Sequence, residues 1–276
     1  MTTAELNIRW YHRANTDRAL VLLHGFPFDA TMWDGVGQEL SEILGPEVSV
    51  LAFDLPGFGG SAAVLDAPAA QNPSLNFSAD LVAQQLAVAG ISRAVFAGLS
   101  MGGYVALALL ERHPELFAAV ALLDTKARSD DDAARHRRLE VAQRVLDTES
   151  LDAVLPMSAT LLAPARRDDE ELIGQLRATI SSQPTEAIVW TQRAMADRPD
   201  RSALLTALTL PALVLVGAQD EVTPISAANE MIKHLQHSPQ AEVTLGVVAD
   251  AGHITAVEQP AEVARILGAF STGVLS

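Results

Sequence analysis

A serine between two glycines is the first feature of the sequence that could do chemistry. Gly98-Leu99-Ser100-Met101-Gly102 lies between two apolar stretches, which is the G-x-S-x-G pattern of a turn from a strand into a helix. A serine at such a corner has a strained backbone that lifts its hydroxyl clear of the sheet, and the glycines permit close backbone approach. The pattern predicts Ser100 as a nucleophile. The alternative is a glycine-rich turn that only packs a helix against a strand.

A serine nucleophile needs a base whose pKa lies near neutrality, and histidine has one. His253 follows the last apolar run, residues 242–248, and precedes the final helical stretch. A loop at that place reaches the edge of the sheet where Ser100 emerges, so we predict His253 as the base. His24 is interpreted as bracing its own loop. His12 lies in the N-terminal segment, far from Ser100 in this layout. The remaining histidines lie in or beside helical stretches, where we expect them on the surface: His113, His136, His234 and His237.

A carboxylate must hold the imidazole in the right tautomer and stabilise its charged form. Asp220 follows the apolar run 211–216, and the loops after parallel strands meet at one edge of the sheet. Asp124 follows the run 118–123 and is its rival. Asp250 is close to His253 in sequence, but this proximity does not supply the geometry. The sequence favours Asp220 as the acid.

The negative oxygen formed during acyl transfer needs two preorganised N–H donors. The backbone N–H of Met101 is one candidate, because the first N–H groups of a helix have no partner within it. The segment Leu23-His24-Gly25-Phe26-Pro27 turns at the end of the first buried run. The backbone N–H of Phe26 is therefore the second candidate, unless this turn has only a structural role.

The rest of the chain alternates short apolar runs with longer stretches of helical period. Such alternation predicts an α/β fold with a mostly parallel central sheet and helices on both faces. The runs, interpreted as buried strands, are 18–23, 48–53, 93–97, 118–123, 211–216 and 242–248, with a possible edge strand over 5–12. The predicted helices are 31–44, 77–89, 101–112, 226–236 and 260–270.

The interval 126–207 breaks this alternation. It has no convincing strand, its charged and apolar residues alternate at helical spacing, and prolines at 156, 164, 184 and 199 divide it. We therefore expect a core domain formed by residues 1–125 and 208–276, with residues 126–207 as a helical insertion. Residues 62–73, rich in alanine and proline, are expected to form a surface loop.

Composition excludes several classes of protein. The chain has 276 residues, is 49% hydrophobic and carries a formal net charge of −15. The acidic balance argues against nucleic acids and anionic membranes as partners. There are no cysteines, so thiol nucleophiles, thiolate metal sites and disulfides are excluded. The N-terminal residues lack a signal peptide and no apolar run is long enough to span a membrane, so we expect a cytoplasmic protein.

The motifs, in this order, resemble the α/β-hydrolase superfamily over nearly the whole chain. The matching segments are 24–27, 54–61, 98–102, 217–224 and 252–253. The resemblance implies that residues 126–207 are the family's helical cap, or lid, inserted after the sixth strand and roofing the active site. Glu258-Gln259-Pro260 is also similar to the ending of small members.

The resemblance implies a carboxylesterase that uses Ser100, His253 and Asp220 and no metal or organic cofactor. It leaves open an enol-lactonase, a C–C bond hydrolase, an iminopeptidase-like enzyme, a perhydrolase, a lyase, or a non-catalytic ligand-binding member. A serine nucleophile speaks against haloalkane dehalogenases and epoxide hydrolases. The substrate is expected to be a small or medium hydrophobic molecule, and the protein a monomer or homodimer. Candidate pocket residues are Phe28, Trp33, Met157, Leu161, Leu162, Trp190 and Met195.

Overall fold

A computed structural model of the chain describes residues 5–238 and 241–275. Its centre is a seven-stranded sheet with the order β1-β3-β2-β4-β5-β6-β7. The strands are β1 (Ile8–His12), β2 (Arg18–Leu23), β3 (Ser49–Phe53), β4 (Arg93–Leu99), β5 (Phe117–Leu123), β6 (Ala212–Gly217) and β7 (Val243–Val248). Only the pairing of β1 with β3 is antiparallel; every other pair in the sheet is parallel. The carboxyl ends of six strands therefore meet at one edge.

Helices cover the sheet. They are α1 (Asp34–Leu44), α2 (Leu75–Ala89), α3 (Met101–Arg112), α4 (Asp132–Thr148), α5 (Met157–Thr160), α6 (Glu170–Ser181), α7 (Thr185–Ala196), α8 (Ser202–Ala207), α9 (Ile225–Gln236), α10 (Thr255–Glu258) and α11 (Pro260–Leu275). Helix α1 packs against α11 and α2 packs against α3, and both pairs contact the central strands. The predicted α/β class with a mostly parallel sheet is confirmed.

The predicted elements differ from the observed ones mainly in their ends. The stretch predicted as one helix over 31–44 is a 3-10 turn, Ala30–Trp33, followed by α1. The expected loop over 62–73 contains two 3-10 helices, Gly59–Asp66 and Pro68–Gln71. The possible edge strand over 5–12 is β1, which pairs with β3.

Residues 242–248 form the predicted strand, β7, but the prediction that this strand is buried is wrong. Strand β7 pairs only with β6 and forms the edge of the sheet, and Leu245 and Val247 are 41% and 44% exposed. An apolar run is equally compatible with a central and an edge strand, because its periodicity reports side-chain type and not the number of neighbours.

Residues 126–207 contain α4 to α8 and no strand. They follow β5, the fifth strand of the described chain, whereas the resemblance places the insertion after the family's sixth. Helix α4 packs against α7, and α7 also contacts α2 and the 3-10 helix Gly59–Asp66 of the core. The helical content therefore agrees with the predicted insertion, and its role as a cap stays a prediction.

A buried carboxylate lies where this helical insertion meets the core. The side chain of Asp130 is 1% exposed and contacts Lys126, Arg138 and Arg198 at 2.8, 2.6 and 2.8 Å. Burial alone would raise the pKa of Asp130, but these three cations hold it well below its usual range. The guanidinium of Arg198 also lies 4.0 Å from the ring centroid of Tyr104 in α3. The cluster thus joins the beginning and the end of the insertion to a core helix.

The described ranges lack both a membrane-spanning helix and a metal-binding cluster. Over residues 5–238 and 241–275, no helix is both long and apolar enough to cross a membrane. The same ranges contain no cluster of three histidine, aspartate or glutamate side chains arranged to hold a metal ion.

Candidate active site

Ser100 occupies the corner between β4 and α3. Its backbone has φ 53° and ψ −110°, a strained conformation for a residue with a side chain. The flanking glycines are required by close backbone contacts. A Cβ on Gly98 would lie 2.3 Å from the carbonyl oxygen of Gly102, and one on Gly102 would lie 2.1 Å from that of Leu23. The corner is therefore compact enough to present the serine hydroxyl at the edge of the sheet.

His253 lies between Ser100 and Asp220. Its Nε2 is 2.8 Å from the Ser100 Oγ, and its Nδ1 is 2.9 Å from Oδ2 of Asp220. An ionised carboxylate can only accept hydrogen bonds, which assigns the hydrogen to Nδ1 and leaves the lone pair of Nε2 to accept from the serine hydroxyl. The imidazole is 3% exposed. This is the geometry that a base for Ser100 needs.

Asp220 is held in place by its own turn. Its Oδ1 accepts hydrogen bonds from the backbone N–H groups of Val222 and Thr223, and its Oδ2 accepts from the Thr223 hydroxyl. The hydroxyl oxygen of Thr223 also lies 3.3 Å from Nδ1 of His253. Sequence reasoning missed Thr223, although the side chain of a loop aspartate often accepts backbone N–H groups a few residues further along the chain.

Charge within the buried site favours ionised Asp220. Burial raises the pKa of this carboxyl, but His253 and the hydrogen bonds of Thr223 outweigh it, so the pKa lies below its usual range. Burial lowers the pKa of His253, whereas the charge and hydrogen bond of Asp220 raise it, and the net result is a pKa above that of an ordinary histidine. The pair therefore stabilises the imidazolium.

Asp124, the rival acid, has different partners. Its Oδ1 accepts the backbone N–H of Gly217, and its Oδ2 accepts the N–H and the hydroxyl of Thr255. Burial and the nearby Asp220 raise the pKa of Asp124 to about 7. Its carboxylate joins the end of β6 to the segment after His253 and makes no hydrogen bond to the imidazole.

The two predicted oxyanion donors belong to segments that lie close to Ser100. Met101 is the first residue of α3, and the turn containing Phe26 is close, because a Cβ on Gly25 would lie 3.6 Å from that of Ser100. Within residues 5–238 and 241–275, neither backbone N–H donates to another protein group. His24 braces this turn: its Nδ1 donates to the carbonyl of Gly25, and its Nε2 accepts the N–H of Leu55.

The candidate pocket residues occupy different places. Phe28 and Trp33 are buried in the core, and Phe28 borders a cavity of about 200 Å³ that also contacts α6. The indole N–H of Trp190 donates to the carbonyl of Ala70, and Met195 lies beside Arg138 of the charged cluster.

Leu161 lies at the site through its backbone. Its carbonyl oxygen accepts the N–H of His253 at 2.8 Å. Leu162 follows it and is buried, and Met157 is half-buried one helical turn earlier. The structure therefore brings the 161–162 segment to the triad, whereas contact of any of these candidates with a substrate stays a prediction.

Known proteins resemble this chain in sequence and in fold. The family model described as alpha/beta hydrolase fold matches residues 18–260. The chain is 30% identical over 231 residues to a pimeloyl-(acyl-carrier protein) methyl ester esterase of Vibrio vulnificus, covering 80% of this chain and 83% of that protein. It is also 30% identical to the biotin biosynthesis bifunctional protein BioHC of Cellvibrio japonicus, covering 89% of this chain but only 46% of that longer protein.

Among solved structures, a thermophilic esterase from Thermogutta terrifontis is similar throughout. Its TM-score is 0.82 and its sequence identity 33%, with 98% of this chain and 94% of that chain covered. The similarity therefore extends over nearly the whole chain, both the sheet and residues 126–207.

Proposed function

Because the chain belongs to the alpha/beta hydrolase fold family, we propose that it is a serine hydrolase that cleaves carboxylic esters through an acyl-enzyme on Ser100. The observation that carries the proposal is the continuous hydrogen-bonded chain from Ser100 through His253 to Asp220, with distances of 2.8 and 2.9 Å. This series of hydrogen bonds is the arrangement by which a base activates a serine hydroxyl.

The first half-reaction forms the acyl-enzyme. Ser100 Oγ attacks the ester carbonyl while Nε2 of His253 takes the hydroxyl proton, and Asp220 stabilises the imidazolium. The negative oxygen of the tetrahedral intermediate is held by the N–H groups of Phe26 and Met101, each such donor contributing about 3 kcal/mol in the transition state. When the C–O bond breaks, His253 gives its proton to the leaving alcohol.

The second half-reaction releases the acid. Water attacks the acyl carbonyl, His253 accepts one of its protons, and the same two N–H groups hold the new oxyanion. The bond to Ser100 Oγ then breaks, and the serine recovers its proton from the imidazolium. Besides the ester and water, these steps use only residues of this chain.

Two further observations support an ester of a hydrophobic acyl or alcohol group. The esterases of Vibrio vulnificus and Thermogutta terrifontis are similar to this chain over most of its length. In addition, the segment beside His253 is apolar, with Leu161 and Leu162 both buried. We propose that residues 126–207 form the lid over this site and that the side chains near Leu161 select the substrate.

The test is hydrolysis of p-nitrophenyl esters of increasing acyl length. We expect turnover that falls by about 10³-fold or more in Ser100→Ala and in His253→Ala, because removal of either residue disables the whole unit. Ser181→Ala and His136→Ala are matched controls, since both residues are exposed on helices of the insertion. Their rates should equal those of the unmodified protein. Absence of turnover on every ester, or turnover that survives Ser100→Ala, would refute the proposal.

A further inference from the structure

Glu258, the last residue of α10, is a buried carboxylate that the proposed mechanism does not use. It is 4% exposed, and its two oxygens accept hydrogen bonds from backbone N–H groups in different parts of the chain. Oε1 accepts from Gly252 at 2.7 Å, and Oε2 accepts from Ala163 at 2.8 Å. Burial of a carboxylate is costly unless its oxygens are hydrogen-bonded, so these two bonds account for its position.

The two N–H groups belong to segments that meet at the imidazole. Gly252 precedes His253, and Ala163 ends the 161–163 segment of the helical insertion. The N–H of His253 itself donates to the carbonyl of Leu161 at 2.8 Å. A Cβ on Gly252 would lie 2.5 Å from the nitrogen of Ala163, so the two backbones are in direct contact. Glu258 therefore closes a contact that already includes the backbone of the base.

We propose that Glu258 is a positioning residue for His253: its carboxylate joins the 252–253 loop to the 161–163 segment and thereby sets the distance from the imidazole to Ser100. This inference rests on the proposed function. It follows that the Glu258 side chain determines both the position of the 161–163 segment and the orientation of the His253 imidazole.

Only a carboxylate satisfies both donors at this place. Each N–H needs an acceptor, and a carboxylate offers two acceptor oxygens, whereas a glutamine of the same shape offers one oxygen and presents an NH₂ group to the other N–H. Two donors, the NH₂ group and the backbone N–H, would then face each other without an acceptor, which destabilises the contact between the 252–253 loop and the 161–163 segment. Glu258→Gln is therefore expected to loosen either the loop or the insertion without changing side-chain volume.

A variant of the neighbouring Arg166 distinguishes two roles of Glu258: positioning His253, or only attaching the helical insertion to the core. Arg166 donates to the backbone carbonyl of Glu258 and to the carboxylate of Asp169, and within the described residues it makes no hydrogen bond to Gly252 or His253. Arg166→Met removes this tether and leaves both hydrogen bonds of the Glu258 carboxylate. Glu262→Gln supplies the same chemical change as Glu258→Gln, but on a surface side chain paired with Arg265.

The experiment measures kcat and KM on the best ester, together with the rate at which a fluorophosphonate labels Ser100. A displacement of about 1 Å at a reacting group lowers rates by about 10²-fold. We therefore expect Glu258→Gln to lower kcat and the labelling rate by about ten- to a hundredfold, with KM changed by less than about threefold. Arg166→Met and Glu262→Gln should label and turn over at rates close to that of the unmodified protein.

The outcomes separate this inference from the proposed function. If Ser100 of the unmodified protein neither labels nor supports ester turnover, the proposed function has failed. If it labels and Glu258→Gln labels equally fast, the inference alone is wrong. An effect of Arg166→Met as large as that of Glu258→Gln would reduce Glu258 to an attachment point and would also overturn it.

A second variant and a second measurement guard against misfolding. Glu258→Asp keeps the charge but is one methylene too short to reach both N–H groups, so it should give an intermediate loss of kcat. Amide hydrogen exchange at Gly252 and Ala163 reads the two hydrogen bonds directly. Exchange should accelerate at both amides in Glu258→Gln and at neither in Glu262→Gln. Unchanged protection at Gly252 would contradict the proposed role.

Discussion

Oδ2 of Asp124 accepts a hydrogen bond from the Thr255 hydroxyl, with 2.6 Å between the two oxygens. Asp124 is the other candidate for the role assigned to Asp220, and this hydrogen bond engages its carboxylate with Thr255. The two aspartates follow neighbouring strands, β5 and β6, so both reach the same edge of the sheet. Their partners differ: Asp220 bonds to Nδ1 of His253, whereas Asp124 bonds to Gly217 and Thr255. Asp220 is therefore placed to orient the base, and Asp124 to hold two loops together.

Replacement of each aspartate by asparagine should separate these roles. Asp220→Asn presents an amide to Nδ1 and favours the wrong tautomer, so kcat/KM should fall by about 10⁴-fold. Asp124→Asn removes an acceptor from Gly217 or Thr255, and its main effect should be a stability loss of about 1–3 kcal/mol. Ester kinetics and urea unfolding of both variants provide the measurement. A larger loss of kcat/KM in Asp124→Asn than in Asp220→Asn would exchange the assignments.

The pKa of His253 determines the acid side of the pH profile. The base must be neutral to accept the serine proton, and Asp220 raises the pKa of His253 above the ordinary value, although burial opposes this. Activity should therefore be lost on acidification with a midpoint in kcat/KM above about 6.5.

The other charged groups around His253 predict the direction of the shift in variants. The charges of Asp124 and Glu258 also raise the pKa of His253. Because Asp124 has a pKa of about 7 and is only partly ionised near the midpoint, Asp124→Asn should move the midpoint to lower pH by a small amount. The residual activity of Asp220→Asn should show a still larger shift in the same direction. A midpoint below about 6.5 in the unmodified protein would contradict the assigned electrostatics.

The sequence predicted the parts of the site that follow from local pattern. Ser100 stands between glycines, and Asp220 and His253 each follow a strand, so a parallel sheet brings them to one edge. Glu258 could not be assigned in this way, because its partners are the backbone N–H groups of Ala163 and Gly252 and no residue type identifies them. The exposure of β7 could not be predicted from the sequence either, because the order of strands in a sheet depends on pairing between distant parts of the chain.

The close backbone contact at Gly102, beside Ser100, can be tested by a substitution that adds a single carbon atom. Gly102→Ala places a Cβ 2.1 Å from the carbonyl oxygen of Leu23, so β2 and α3 must separate. We expect a loss of about 3 kcal/mol or more in the free energy of unfolding, and little ester turnover. Gly174 of α6 is the matched control, since nothing lies within 4 Å of its added Cβ. Gly174→Ala should stabilise the protein by about 0.5–1 kcal/mol. Equal stability of the two variants would contradict the close contact at Gly102.

The cluster around Asp130 predicts how the helical insertion is held on the core. Asp130→Asn leaves Lys126, Arg138 and the buried Arg198 without their shared carboxylate, and breaking such a buried pair costs about 3–5 kcal/mol. Urea unfolding at neutral pH measures this loss. Asp152→Asn is the control, because that aspartate lies exposed in the same insertion. A loss below about 1 kcal/mol in Asp130→Asn would mean that the cluster does not anchor the insertion.

The contribution of Asp130 should also depend on pH in a defined direction. The folded pKa of Asp130 lies below its unfolded value of about 3.9. A group of this kind stabilises the folded state fully above the unfolded pKa, and this stabilisation is lost as pH falls toward the folded pKa. The difference in unfolding free energy between the unmodified protein and Asp130→Asn should therefore be constant from about pH 8 to pH 5 and shrink below about pH 4. Unfolding of both proteins in urea across this range provides the measurement. A difference that grows on acidification would refute the ion-paired state of Asp130.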